Sequence, residues 1–225
     1  MARTAGQIDL AKNEAILDAA IDVFAERGFA APMEEIARRA CVSKQTIYNH
    51  YGSKAELAAA LSQRRVAEIT APLETPGAAE HPEIALANFA RALLQSVSAP
   101  RGLILMRLAI QGAVETPDLA RTLYNAGTQA SRARLAAFLA AEAAAGRMAI
   151  DDPAQAAEFF GGMVVGSYQM AGLLGVPRLL SPEQIDAIAR AAAYRFMMAY
   201  APGPRPFPLQ VESLEADKKG RSSRV

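Results

Sequence analysis

Residues that build metal centres and covalent cross-links are scarce in this chain of 225 amino acids. A single cysteine, Cys41, excludes an internal disulfide. The two histidines, His50 and His81, stand far apart and lack the short spacing of metal ligands. The sequence therefore predicts no metal site and no cofactor.

The chain also lacks long apolar runs and a large excess of charge of either sign. No stretch approaches the length needed to cross a bilayer, and the N-terminus lacks the charged, apolar and cleavage regions of a secretion signal. Apolar residues make up 52% and charged residues 21%, with a net charge of +1, an ordinary balance for a globular protein. We expect a cytoplasmic protein with no membrane partner.

Motifs of catalysis are absent as well. No glycine-rich phosphate loop occurs, and the segment GMVVGSYQ falls inside a helical pattern, not at the strand-to-helix turn of a hydrolase nucleophile. The acidic pairs Glu34 with Glu35 and Asp151 with Asp152 stand at helix starts, where the helix dipole accounts for them. We predict no catalytic residue and no enzyme.

Helical patterns fill most of the chain. Alanine is frequent, strand-like alternation is missing, and cap residues recur before proline at Thr116, Asp152 and Ser181. We predict an all-α fold of about nine helices, near residues 10–27, 33–40, 44–51, 54–70, 82–98, 102–113, 117–145, 153–174 and 182–200.

The segment from Met33 to Leu57 predicts a helix-turn-helix motif. Its apolar positions share one face: Ile36, Ala37, Ala40, Val42, Ile47 and Tyr51. Ser43 and Ser53 are suited to cap the second and third helices, the latter in a capping box with Glu56. Two packed helices and a pinned third are therefore expected.

The other face of the second helix is polar and suits the major groove of DNA. It carries side chains that can donate to base edges or phosphates: Lys44, Gln45, Thr46, Asn49 and His50. Between Arg38 and Lys54 there are four basic residues and no acid, yet residues 1–65 hold nine basic against eight acidic residues. Affinity for DNA must come from a focused patch.

These segments resemble the TetR family of transcriptional regulators. The resemblance rests on AILDAAIDVFAERGF, MEEIARRA and CVSKQTIYNHYGSKAEL, and covers about the first quarter of the chain. It implies base contacts from Lys44, Gln45, Tyr48 and Asn49, and phosphate contacts from Thr46, Tyr48, His50 and Lys54. Pro32 and Cys41 depart from the family pattern, in which threonine and glycine are usual.

Cys41 admits two interpretations. We favour a small buried side chain in the turn, and redox sensing is the alternative.

Four segments follow from composition and resemblance together. We predict a helix-turn-helix DNA-binding domain over 1–56, a connecting helix over 57–71, and a ligand-binding and dimerisation domain over 72–200. Residues 201–225 begin rich in proline and become polar, which predicts a disordered tail.

The last two long helices are too apolar to stand alone, and Gly162 and Gly166 would let another helix approach. The resemblance implies a homodimer formed through a four-helix bundle, with internal core packing as the alternative. The candidate interface residues are Phe159, Gly162, Met163, Gly166, Tyr194, Met197 and Met198.

The resemblance further implies a cavity for an unknown small-molecule effector. The candidate lining residues are Phe89, Leu93, Met106, Arg107, Ile110, Gln111, Asn125, Phe138, Met163, Tyr168 and Met170. Because ionisable groups are few in these runs, we expect an uncharged or weakly polar organic ligand.

The sequence thus predicts a ligand-responsive, homodimeric repressor that binds a palindromic operator in double-stranded DNA and is released by its effector. Repression is inferred from the family alone. Two alternatives stay open. One is a helical partner-binding adaptor whose helix-turn-helix domain, here called the head, has lost its affinity for DNA. The other is a helical enzyme.

Overall fold

The computed structural model describes residues 5–176 and 180–203, and within these ranges the chain forms helices and turns without strands. The first four helices are α1 (Ala5–Arg27), α2 (Met33–Arg39), α3 (Lys44–His50) and α4 (Lys54–Thr70). The remaining helices are α5 (Pro82–Ser98), α6 (Pro100–Glu115), α7 (Pro117–Tyr124), α8 (Ala130–Ala144), α9 (Pro153–Val165), α10 (Tyr168–Leu173) and α11 (Pro182–Ala199). The all-α prediction is confirmed.

Two irregular segments break the helices that were predicted to be long. The expectation of one helix over 153–174 is wrong, because Gly166 adopts φ +48° and ends α9 before α10 begins. The helix expected over 117–145 contains a π-helical segment, Asn125–Gln129, between α7 and α8. The tail predicted from residue 201 lies outside the described residues after Gly203.

Most of the predicted caps are present. The side chains of Ser43, Ser53 and Asp152 accept backbone N–H groups at the starts of α3, α4 and α9, and Ser181 forms a capping box with Gln184 at α11. At α4 the Glu56 carboxylate accepts from the Gly52 N–H, which differs from the capping box expected with Ser53. Thr116 does not cap α7. Its hydroxyl donates instead to the Gly112 carbonyl within α6.

Two separate cores lie at the two ends of α4. The head core joins α1, α2 and α3 through fully buried residues: Ile16, Val23, Phe24, Ile36, Ile47 and Leu57. The body core joins α5, α8, α9 and α11 around a set of aromatic and leucine side chains: Leu86, Phe89, Leu135, Leu139, Phe160 and Phe196. Because α4 contributes to both cores, it connects head and body without a flexible linker.

Helix α6 also belongs to both parts. Leu105 is buried in the head core, and Leu108 packs against it. At the start of α6, Arg101 forms ion pairs with Asp18 and Asp22 of α1. A displacement of α6 would therefore change its contacts with α1 and with the head core.

In the described ranges no single helix is long and apolar enough to cross a membrane. The α5 and α6 pair, bent by 67° at its break, meets that test jointly by length and composition.

Candidate nucleic-acid interface and body cavity

The α3 helix is held in place by one buried anchor and one cap. Ile47 has no exposed surface and packs into the head core. Ser43 Oγ accepts the Thr46 N–H at 3.0 Å, which satisfies a backbone donor at the helix start. The opposite face of this seven-residue helix is left open to solvent.

We call the exposed side chains of α3 the reading face: Lys44, Gln45, Tyr48 and Asn49. Two of them are paired with each other, since Gln45 Nε2 donates to Asn49 Oδ1 at 2.7 Å. This bond fixes the amide orientation of both side chains. It uses the Asn49 oxygen as an acceptor and leaves the Asn49 NH₂ group able to donate. An amide in this position has the donor and acceptor pair that adenine presents in reverse.

Lys44 is held by an acidic residue that the sequence reasoning did not connect with it. Its Nζ lies 2.6 Å from Glu34 Oε1 of α2 and 5.8 Å from the centroid of the Tyr48 ring. The hydrogen bond between them lowers the pKa of Glu34 and raises the pKa of Lys44. Both groups are exposed, so Lys44 can exchange this carboxylate for a phosphate or a base.

The expected phosphate-binding residues occupy different environments. The Thr46 hydroxyl lies 2.8 Å from Ser43 Oγ, and the His50 ring lies 6.2 Å from that of Tyr51. Lys54 is half-buried and donates from Nζ to the Phe29 carbonyl at 2.6 Å. Burial lowers the pKa of Lys54. Its ammonium therefore ties α4 to the α1–α2 turn, and its other two hydrogens are available to an anion.

Cys41 differs from the favoured interpretation. It is exposed rather than buried, and its φ of +54° places it in the left-handed region. The turn between α2 and α3 needs this backbone conformation, which explains why glycine would suit the position better than cysteine.

A cavity of about 500 Å³ lies in the body beside α4. Its wall is largely apolar and comes from α4 to α10 together with the π-helical segment. The large apolar side chains in that wall include Val66, Ile69, Phe89, Leu93, Met106 and Ile110. This volume lies within the range of small-molecule sites in proteins.

Four of the predicted lining residues do line this cavity: Phe89, Leu93, Met106 and Ile110. Seven others lie outside its wall: Arg107, Gln111, Asn125, Phe138, Met163, Tyr168 and Met170. Arg107 donates instead to the Gly172 and Leu173 carbonyls at 2.6 and 3.1 Å, and so caps the end of α10. Phe138 and Tyr168 pack against the body core.

The sequence reasoning missed the polar part of the wall. It consists of Ser62, Arg65, Tyr124, Thr128, Ser131, Arg132 and Gln169. Arg65 could have been found, because it lies on the connecting helix among apolar residues one turn apart, such as Leu61 and Ile69. The others line the cavity because of how α4, α7, α8, α10 and the π-helical segment pack together, and no local sequence pattern shows this packing.

The predicted interface residues divide into two groups. Four are large and exposed on α9 and α11, with Phe159 57%, Met163 43%, Tyr194 66% and Met198 62% exposed. Met197 instead packs against the body core. Gly162 and Gly166 line the cavity. The φ of +48° at Gly166 favours glycine without a second helix, whereas a Cβ at Gly162 would meet no atom of the described chain within 4 Å.

Comparison with known proteins assigns both parts of the chain. A family model described as the AefR-like transcriptional repressor, C-terminal domain, matches residues 84–202, which is more than half of the chain. A second model, bacterial regulatory proteins of the tetR family, matches residues 16–61. The chain belongs to the TetR family. It is a transcriptional regulator with a DNA-binding helix-turn-helix head.

Solved structures of TetR-family regulators share the whole fold. A transcriptional regulator of this family from Mesorhizobium loti is 25% identical, with a TM-score of 0.69 over 88% of this chain and 100% of that one. The flavonoid-responsive regulator FrrA is 32% identical, with a TM-score of 0.65 over 86% of this chain and 98% of that one.

A curated relative matches the head alone. It is the HTH-type transcriptional activator FasR of Mycolicibacterium smegmatis, 54% identical over 52 residues. The match spans 23% of this chain and 24% of that activator.

Proposed function

We propose that this TetR-family regulator is a homodimer in the cytoplasm that binds a palindromic operator and releases it when a small organic effector fills the body cavity. One observation carries the proposal: α6 contributes Leu105 to the head core and also forms part of the cavity wall. A ligand that moves α6 must therefore disturb the packing of the DNA-binding head.

Reading of DNA is assigned to the reading face. The exposed amides of Gln45 and Asn49 contact base edges, while Lys44 and Tyr48 reach bases or the adjacent backbone. Thr46, His50 and Lys54 are assigned to phosphates, Lys54 with the two hydrogens that the Phe29 carbonyl leaves available. These seven residues form the proposed interface with double-stranded DNA.

Dimerisation is assigned to α9 and α11. Their four exposed apolar side chains, Phe159, Met163, Tyr194 and Met198, would cost free energy in water and are suited to burial against a second copy. A two-fold dimer presents two reading helices, which requires two half-sites of related sequence.

The effector signal follows thermodynamic linkage. A ligand releases DNA only if it binds the DNA-free conformation better, and DNA must weaken the ligand by the same factor. Repression is favoured because the matched body model is that of a repressor and spans most of the body. Activation is the second candidate, because the relative that matches the head is an activator.

The test for dimerisation uses two charged substitutions. Met198→Glu on α11 should give a monomer in sedimentation velocity and weaken binding to a selected duplex in fluorescence anisotropy. Leu10→Glu is the control, because Leu10 is equally exposed but lies on α1 of the head. A Met198→Glu protein that sediments like the wild type would refute the assigned interface.

The test for sensing compares two neighbours on α6. Compounds that dissociate a labelled duplex are first found by screening, and each is then titrated against Ala109→Phe, which fills the cavity, and Gln111→Leu, which lies outside its wall. Ala109→Phe should lose the response while Gln111→Leu keeps it. Equal responses in both variants would show that the effector acts elsewhere.

A further inference from the structure

The cavity wall is positively charged. Among its residues in the described ranges are two arginines, Arg65 and Arg132, and no aspartate or glutamate. The rest of the wall is uncharged and largely apolar, which weakens dielectric screening, so a cation there attracts an anion more strongly than it would at the surface. The charge of the wall therefore limits which ligands suit it.

The two arginines differ in how their charge is compensated. Arg132 lies 3.3 Å from the carboxylate of Glu158 on α9. Arg65 is half-buried, and its hydrogen-bond acceptors are neutral: the Ser96 hydroxyl, and the Ser96 carbonyl at 2.5 Å. No carboxylate of the described chain forms an ion pair with Arg65 within 4.0 Å. Burial lowers the pKa of Arg65 and the attraction of the Glu68 carboxylate partly opposes this, and a guanidinium stays protonated at neutral pH.

The reason for the Arg65 contact lies in the chain itself. The Ser96 carbonyl would normally accept from the N–H four residues later, but that residue is Pro100, which has none. Gly102 allows the close approach, since a Cβ there would overlap both the Ser96 carbonyl oxygen and the Arg65 guanidinium. Arg65 thus links α4 to the end of α5 while it also faces the cavity.

We propose that the effector of this cavity is an organic acid whose carboxylate or sulfonate binds the Arg65 guanidinium. The inference rests on the proposed function, in which the cavity receives the effector. The apolar body of the acid packs against Phe89, Leu93 and Met106, and Thr128 and Ser131 offer hydroxyl groups. This differs from the uncharged ligand that the sequence predicts, because the wall includes Arg65 of α4.

Binding of an anion to Arg65 can change the position of α4 and so affect the head. A guanidinium has five donors, and a bidentate contact with an acid competes with its contacts to Ser96. Weakening that link loosens α4 from α5, and α4 begins at Lys54 in the head.

The experiment uses two fluorescent probes that differ by one anionic group. The probe 8-anilinonaphthalene-1-sulfonate carries a sulfonate, and N-phenyl-1-naphthylamine has the same rings without it. Both are titrated into the full chain and into Arg65→Gln, Arg65→Lys, Arg132→Gln and Ala109→Phe, with circular dichroism melting of each variant. Arg65→Lys keeps the positive charge but changes the hydrogen bonds to Ser96.

The wild type should bind the sulfonate more tightly than the amine. Arg65→Gln should weaken sulfonate binding by about tenfold or more, the value of a charged hydrogen bond, and change amine binding by less than about twofold. Arg65→Lys should restore most of the sulfonate affinity, and Arg132→Gln should have the smaller effect. A merely structural arginine would instead lower the affinity for both probes alike in Arg65→Gln and Arg65→Lys.

Two failures are distinguishable. If Ala109→Phe blocks the amine but Arg65→Gln leaves the ratio of the two affinities unchanged, the cavity binds ligands and the preference for acids is wrong. If Ala109→Phe blocks neither probe, the cavity is not a ligand site, and both the proposed sensing function and this inference are overturned.

Discussion

Lys54 is expected to serve both the fold and the DNA contact. Lys54→Met removes both contributions, and melting and DNA binding measure them separately. Methionine keeps the length of the side chain but removes the ammonium that donates to the Phe29 carbonyl at 2.6 Å. A hydrogen bond to a charged group contributes about 1.5 to 3 kcal/mol, and the lower end applies here, because the burial that lowers the pKa of Lys54 offsets part of the gain and water can replace the donor. For a chain of this size 1 kcal/mol corresponds to about 2 to 4 °C, so the melting temperature should fall by about 3 to 6 °C.

The effect on DNA is measured well below that temperature by fluorescence anisotropy at about 50 to 200 mM salt. Loss of one phosphate contact should weaken the selected site and random duplex alike and reduce the salt slope by about one unit. Lys12→Met is the control, because it removes one exposed charge from α1 and should leave the melting temperature unchanged.

An unchanged melting temperature would refute the stabilising role of the bond to Phe29. Weaker binding confined to the selected site would refute the assignment of Lys54 to phosphate.

Three other substitutions test the head and the body. Glu34→Gln frees Lys44 and removes an anion beside the reading face, so affinity for any duplex should rise roughly two- to fivefold at low salt; unchanged binding would show that the carboxylate does not compete with DNA. Cys41→Gly relieves the left-handed strain, which should add about 1 kcal/mol of stability, and a lower melting temperature would contradict this. The hydrogen bond from Arg91 holds the pKa of Asp186 below its ordinary 3.8, so the stability from this pair is complete above that pH and is lost as pH falls through the folded pKa. Melting temperatures of wild type and Asp186→Asn should therefore converge in acid, and a constant difference would refute the coupling.

Local chemistry made the head predictable. The apolar spacing of Ile36 and Ile47 and the caps at Ser43 and Ser53 depend on neighbours within a few residues, and all four behave as expected. These signals act within single helices, so they survive without knowledge of the tertiary fold.

The cavity was less predictable because it depends on contacts between distant helices. Gly102 makes room for the Arg65 guanidinium beside the end of α5, and Gly166 lies in the wall at the end of α9. The hydropathy of each helix alone does not distinguish a wall that faces a cavity from one that faces the core. The interface residues on α9 and α11 remain a prediction for the same reason.

The most direct test of the account is selection of bound sequences from random duplex DNA by the full chain near physiological salt. The account predicts an enriched, near-palindromic site whose half-site centres lie about 34 to 36 Å apart, or a multiple of that distance. Enrichment of asymmetric sites would contradict the dimeric arrangement of the two reading faces. No enrichment above random duplex would contradict sequence-specific reading by α3.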